Sequence, residues 1–260
     1  MRLFEFTNQT VLEAKNIMAR GKNYVQTINK YSTYNSYAMA EWEKFKAEPQ
    51  RREALLKATE NIQVQHVLDI GCGAGQEMLP FVARGASAMG VDVMPEVGQV
   101  GREMFAAEGF DDKVSFVRAS GNELPFSDDY FDVLISRGAI MFMDVEVALR
   151  EMGRVLRPGG IFFLMFQAPP YYWWKVGDGI KGQNFLSSIH ALRVLFAGNL
   201  YRLTGRQSFN KLTAGGETFI TKKILERDTG FSRMKIIGEM PDTNKKTPSL
   251  IITKKETRKS

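Results

Sequence analysis

Apolar and polar positions along most of this chain fall into short blocks, in which runs of strand character give way to stretches of helical period. Runs such as Val67-Leu-Asp-Ile70 and Phe131-Asp-Val-Leu-Ile135 predict strands near 66–71, 86–92, 113–119, 130–136, 160–167, 234–240 and 248–254. The segments near 75–84, 95–108, 144–156 and 216–229 read as helices. Alternation of this kind predicts an α/β fold, a doubly wound, mostly parallel, seven-stranded Rossmann-like sheet. Only the polar loop Asp242 to Thr247 separates the last two strands, so they are expected to form an antiparallel hairpin at one edge.

Two segments depart from that alternation. Residues 1–60 read as a helical leader in which Tyr24, Tyr31, Tyr34, Tyr37 and Trp42 are interleaved with apolar positions. Such aromatics either pack on the domain or face a bound substrate. Residues 168–211 read as a helical insertion after the fifth strand. It opens with Tyr171-Tyr-Trp-Trp174 and continues in an apolar stretch where Phe185, Ile189, Leu192, Phe196, Leu200 and Leu203 recur at intervals of three and four. That spacing is one face of a helix, and Ser187, Ser188, His190 and Arg193 make the run too polar to span a bilayer. The expected division is therefore a leader (1–60), a core (61–167), the insertion (168–211) and the C-terminal part of the core sheet (212–260).

With 260 residues, the chain suits one α/β domain with additions at both ends. The single cysteine, Cys72, excludes an intramolecular disulfide and favours an intracellular setting. Met1 to Thr10 carries charges and no continuous apolar core, so a secretory leader is not expected and a cytoplasmic placement is. Charge is uneven: residues 1–60 carry 10 Lys+Arg against 7 Asp+Glu, residues 61–167 carry 8 against 15, and residues 168–260 carry 17 against 7. The basic last third can meet anionic lipid, a phosphorylated small molecule or nucleic acid, or simply be a solvated surface. No metal site is expected, because the two distant histidines, His66 and His190, and the one cysteine, Cys72, offer no closely spaced cluster, and the pairs Asp111-Asp112 and Asp128-Asp129 read as turn residues.

The densest chemistry lies in Val67-Leu-Asp-Ile-Gly-Cys-Gly-Ala-Gly75, an apolar strand running into a turn with three glycines. Gly71, Gly73 and Gly75 can hold backbone against a bulky cofactor where side chains would collide. A second apolar run ends in Asp92, where a carboxylate can accept hydrogen bonds from both hydroxyls of a ribose. A nicotinamide-binding fingerprint would need a further glycine where Gln76 stands.

On these residues the chain resembles the class I S-adenosylmethionine-dependent methyltransferases, in the branch with a D-x-G-x-G turn and an L-P-F element. Asp69-Ile-Gly-Cys-Gly-Ala-Gly75 is similar to the family's cofactor loop, Asp92 to its ribose acid and Leu124-Pro-Phe126 with Phe131 to Ile135 to its fourth strand. Leu156-Arg-Pro-Gly-Gly160 is similar to the turn before its fifth strand. The resemblance covers residues 62 to 167. It implies S-adenosyl-L-methionine as cofactor, S-adenosyl-L-homocysteine as product and Asp69 as acceptor from the cofactor's ammonium. Cofactor contacts are implied for Cys72 in the turn, Val93 beside Asp92, and Ser136 and Arg137 at the end of the fourth strand. The family's adenine-binding acid is replaced by Ser120, leaving Ser120, Gly121 and Asn122 to meet adenine by hydroxyl, amide N–H or side-chain amide.

Ala168-Pro-Pro-Tyr171 is similar to the N-P-P-Y signature of enzymes that methylate amino groups on bases, but it follows the fifth strand instead of the fourth and lacks the Asn. The two prolines read as a strand terminator, and nucleic acid is not the expected partner. The expected acceptor is a small molecule, apolar, lipid or lipid-linked glycan. His190 is the candidate general base, because His66 begins the first strand on the side away from the cofactor. The insertion reads as a lid, a homodimer contact or a peripheral membrane contact through residues 171–206. A cofactor-binding protein without transfer activity is the alternative function.

Overall fold

In a computed structural model of the chain, residues 33–230 and 233–255 are described. Two helices come first, α1 (Thr33–Lys46) and α2 (Pro49–Ala58). Then follow β1 (His66–Ile70), the short α3 (Leu79–Val82), β2 (Ser87–Asp92), α4 (Gln99–Ala107), β3 (Val114–Arg118), β4 (Phe131–Arg137), α5 (Val145–Val155) and β5 (Leu156–Met165). The chain continues through α6 (Pro169–Lys181), α7 (Phe185–Thr204), α8 (Lys222–Thr229), β6 (Met234–Glu239) and β7 (Ser249–Lys254).

The strands form one seven-stranded sheet in the order β3-β2-β1-β4-β5-β7-β6. β1 to β5 pair in parallel, while β7 runs antiparallel to both β5 and β6. This is the doubly wound sheet with the edge hairpin that the alternation predicts. The order reverses beside β1, so the loops after β1 and β4 diverge at the carboxyl edge, the place where α/β sheets of this type take ligands.

Strand alternation divides the core between the two faces of the sheet. Leu68, Ile70, Leu134, Phe162 and Leu164 pack with α5, α7 and α8 on one side. Val67, Val133, Ile135, Ile161 and Phe163 pack with Trp42, Phe45 and Leu55 of α1 and α2, and with Phe81 and Phe105, on the other. At the opposite edge from the glycine turn, the Asp132 carboxylate accepts from the amides of Gln65 (2.6 Å) and His66 (2.8 Å), and His66 stacks on Tyr130. His66 is thus a structural residue at the start of β1.

Several boundaries differ from the sequence reading, each for a local reason. The helix expected over 75–84 is a 3-10 turn at Gln76–Met78 followed by the single turn α3, which has a proline at its start. Pro169 and Pro170 do more than end a strand: β5 stops at Met165, and the prolines occupy the first turn of α6, where a missing N–H costs nothing. α7 is capped by Asn184, whose side chain accepts from Ser187 N (3.2 Å), and ends at Gly205 in the left-handed region (φ 69°). Tyr24, Tyr31 and the rest of residues 1–32 lie outside the described residues.

Candidate active site

The glycine turn closes on itself through backbone bonds: Gly71 N and Cys72 N both donate to Val91 O, and Gly75 N donates to Cys72 O. Gly71, Gly73 and Gly75 all sit in the left-handed region, with φ of 72°, 56° and 77°. The turn is therefore written into the sequence by residue type. The glycines differ in surroundings. A Cβ on Gly71 would lie 2.2 Å from the Ala139 Cβ in the loop after β4, and one on Gly75 would lie 2.4 Å from the Met78 methyl. A Cβ on Gly73 would meet nothing within 4 Å, so its open side offers bare backbone to a ligand.

Two carboxylates flank this turn. Asp69, buried at the end of β1, is pushed up to about 7 by burial and then by the Asp92 carboxylate, against the opposing pull of Arg137 and Arg51. Asp92 accepts from Met94 N (3.1 Å) on Oδ1, and from the Tyr34 hydroxyl (2.9 Å) and Gly73 N (3.4 Å) on Oδ2. Burial and the Asp92 charge raise the Tyr34 hydroxyl, which therefore acts as a donor. The same two acids, after burial, raise Cys72. Its sulfur would lie 2.8 Å from a Cβ on Gly90, so the side chain points at β2 and stays a thiol; a nucleophile is not what this geometry builds.

The remaining residues singled out from the sequence fall into two groups. Val93 stands exposed beside Asp92, and its carbonyl accepts from Arg118 Nε. Ala119 N donates to Asp92 O, which sets the Ser120-Gly121-Asn122 loop next to Asp92. Ser120 Oγ accepts from Asn122 N (3.2 Å), while Gly121 packs against Met143. Asn122 Oδ1, Gln76 Oε1 and Ser136 Oγ are buried without a hydrogen-bond partner among the described residues. Arg137 is differently committed. Its guanidinium binds Glu77 (3.0 Å), Asp242 (2.5 Å) and Ser249 (3.2 Å), and Glu77 also pairs with Arg51 of α2. Arg137 is therefore a strut joining β4 to the turn after β1 and to the β6–β7 loop, and it acts on the site chiefly as charge near Asp69.

A second polar cluster lies beyond the ends of β4 and β5. His190 Nε2 on α7 is 2.8 Å from Glu217 Oε2, and Glu217 Oε1 is 3.0 Å from the Tyr172 hydroxyl. That hydroxyl also lies 2.7 Å from Gln167 Oε1, just past β5. Next to Glu217, Thr218 N donates to Met141 O in the segment that follows Ala139, which links this cluster through the chain to the loop packed on Gly71. Sequence reasoning isolated His190 but not Glu217, Tyr172, Glu77 or Arg51. These pairs are separated by between 26 and 60 residues, and no local spacing marks them. No cluster of three or more His, Cys, Asp or Glu suited to a metal occurs among the described residues.

Residues 68–164 match the family model described as "Methyltransferase domain". Similar curated proteins include the sterol 4-C-methyltransferase of Caenorhabditis elegans, 36% identical over 110 residues, which are 42% of this chain and 32% of that protein. The ubiquinone/menaquinone biosynthesis C-methyltransferase of Pectobacterium carotovorum is 39% identical over 110 residues, 40% of this chain and 44% of that protein. The match thus spans less than half the length of either relative. Among solved structures, YcgJ of Bacillus subtilis superposes with a TM-score of 0.53 at 21% identity, covering 80% of this chain and 99% of that one. The cyclase SpnF superposes with a TM-score of 0.53 at 16% identity, covering 79% and 80%. These likenesses are of fold. The segment 168–211 lies outside the family match.

Proposed function

We propose, from the match of residues 68–164 to the methyltransferase-domain family model, that this chain transfers a methyl group from S-adenosyl-L-methionine to a small-molecule acceptor, apolar, a lipid or a lipid-linked glycan. The observation that carries the reading is the pair Asp69 and Asp92 around an open glycine turn. A buried carboxyl raised toward 7 beside a second carboxylate is a place that a cation relieves. Buried acceptors at Asn122 and Gln76 await donors. An aminoacyl-nucleoside offers an ammonium, a ribose diol and an exocyclic amine, which fit that donor demand.

When bound, the cofactor supplies a methyl activated on a sulfonium. Asp69 would hold the ammonium, Asp92 the ribose hydroxyls and the Ser120–Asn122 loop the adenine edge, while Gly73 gives the backbone close approach. The protein's remaining task is to align the acceptor and exclude water. His190 is the proposed base: with its Nε2–H donating to Glu217, the Nδ1 lone pair is left to take a proton from an acceptor hydroxyl or activated carbon. The setting is cytoplasmic, with the acceptor met in solution, at a subunit contact or at a membrane surface. No helix among the described residues is long and apolar enough to cross a membrane.

A second reading, cofactor binding without methyl transfer, is favoured by Ser120 at the adenine position. Calorimetric titration with S-adenosylmethionine and S-adenosylhomocysteine, followed by transfer of labelled methyl into quinone, sterol and polar-lipid extracts, separates the two. Binding lost by roughly a hundredfold in Asp92→Ala, together with labelled product, supports the enzyme. Binding with no product from any extract favours the second reading, and no binding by wild type removes both.

A further inference from the structure

α7 is apolar on both sides. Its inner side packs through small and medium residues: Ala191, Val194, Leu195, Ala197 and Gly198 are buried, Gly198 is so close to Phe219 that a Cβ would lie 2.4 Å from its ring, and the Tyr201 hydroxyl donates to Asp228 (2.6 Å). The residues whose spacing marked a hydrophobic face point the other way. Phe185, Ile189, Leu192, Phe196 and Leu203 are exposed, from 46% at Leu192 to 78% at Leu203, and Leu200 between them is half-buried. At 3.6 residues per turn they form one line along a 20-residue helix, about 30 Å long. Aligned exposed apolar side chains of this extent mark a contact surface.

The charge around the line says what covers it. Arg193 flanks it on one side and Arg202 on the other, and residues 168–211 hold six Lys/Arg against the single acid Asp178. In α6 Trp173 is exposed, and Trp174 carries Lys246 of the β6–β7 loop over its ring at 4.6 Å. A two-fold contact between copies would bring these cations face to face with almost no acid to pair them. An anionic lipid surface meets both demands, burying the apolar line and neutralising the flanking cations. We propose that α7 docks this outer face in the interface of an anionic bilayer, lying in its plane, while its inner side keeps His190 at the candidate site. The docking stands on the surface alone; its meaning as delivery of a lipid acceptor rests on the methyltransferase reading.

Flotation of the full chain with vesicles tests it, using phosphatidylcholine alone and phosphatidylcholine mixed with phosphatidylglycerol. Wild type is expected to float with the anionic vesicles and stay behind with the neutral ones. Binding should fall at least about tenfold in Leu192→Glu/Phe196→Glu and several-fold in Arg193→Gln/Arg202→Gln or on adding salt. Wild type that remains soluble with anionic vesicles overturns the docking. A dimer in analytical ultracentrifugation that L192E/F196E splits, without flotation by wild type, assigns the face to a second copy instead. Titration of the same proteins with S-adenosylmethionine keeps the questions apart. Cofactor binding without flotation removes the docking alone, and flotation without cofactor binding removes the enzymatic reading alone.

Discussion

The glycine turn after β1 and the α6–α7 hairpin are the two surfaces proposed to make contacts, and they are built by opposite means. The turn works by removing side chains: three residues with positive φ and two flanking carboxyls make a cradle whose chemistry is fixed by backbone shape. The hairpin works by adding them, with large apolar groups outward and small ones inward. A surface of the first kind tolerates few residue types, and it lies within the family match, whereas the hairpin lies outside it. A surface of the second kind can be met by many sequences, and there acceptor choice and location have room to diverge.

The comparison breaks most sharply within the turn itself. Gly71→Ala combines backbone strain with an overlap against Ala139, and should lower stability by about 2–5 kcal/mol, visible in thermal unfolding. Gly73→Ala carries strain alone, about 1–2 kcal/mol, because its Cβ points into open space. If Gly73 faces the cofactor, this milder variant should nevertheless lose S-adenosylmethionine binding in calorimetry. Equal destabilisation of the two, or intact binding by Gly73→Ala, would show that the turn is structural only.

Acidity separates the regions next, since Asp69 is the acid proposed to hold the cofactor's ammonium. Its proton is held more tightly in the fold than in the unfolded chain, because its folded value is raised to about 7. The corresponding stabilisation of the unliganded fold is therefore present at low pH and is lost as pH rises from the ordinary carboxyl range through about 7. Cofactor binding runs the other way, since an ammonium needs the carboxylate. Affinity should fall by up to roughly tenfold per pH unit below 7 and level off above it. Titrations at pH 6 in buffers of different ionisation heat should reveal proton release, which Asp69→Asn should abolish. Vesicle binding by α7 should show no such dependence on Asp69.

What the sequence made legible follows the same division. The strands, the turn, Asp92 and the edge hairpin could be read because residue type and period decide them locally. The period of α7 was equally readable, but its outward side was not. When both faces of a helix are apolar, spacing finds the large residues, whereas the inner side is built of small ones, Ala191, Ala197 and Gly198, the last held close against Phe219. The prolines at 169 and 170 were ambiguous because the residue that ends a ladder also begins a helix well. The Arg51–Glu77–Arg137–Asp242 network left no trace, since its members come from α2, the turn after β1, β4 and the β6–β7 loop.

Between the two regions stands the His190–Glu217 pair, and its contribution should be smaller. Glu217→Gln keeps the shape while removing the charge that orients and supports a protonated imidazole. Turnover should drop by about tenfold, roughly 1.4 kcal/mol, with the KM for S-adenosylmethionine unchanged. A change in that KM and none in turnover would make the pair a structural tie between α7 and the sheet.

The smallest expected effect lies where the leader meets the cofactor loop. Asp92 has capacity for about four hydrogen bonds. Met94 N takes one on Oδ1, and the Tyr34 hydroxyl takes one on Oδ2, with Gly73 N at the longer distance of 3.4 Å. Oδ1 thus keeps room for one ribose hydroxyl, a second on Oδ2 would displace the long Gly73 bond, and Tyr34 orients the carboxylate instead of competing for it. Tyr34→Phe leaves the buried ring in place and removes the hydroxyl's bond to Asp92, so cofactor affinity should weaken by a few-fold, on the order of 1 kcal/mol. Tighter binding in Tyr34→Phe would reverse the assignment and make the α1 contact an obstacle that the ribose must displace.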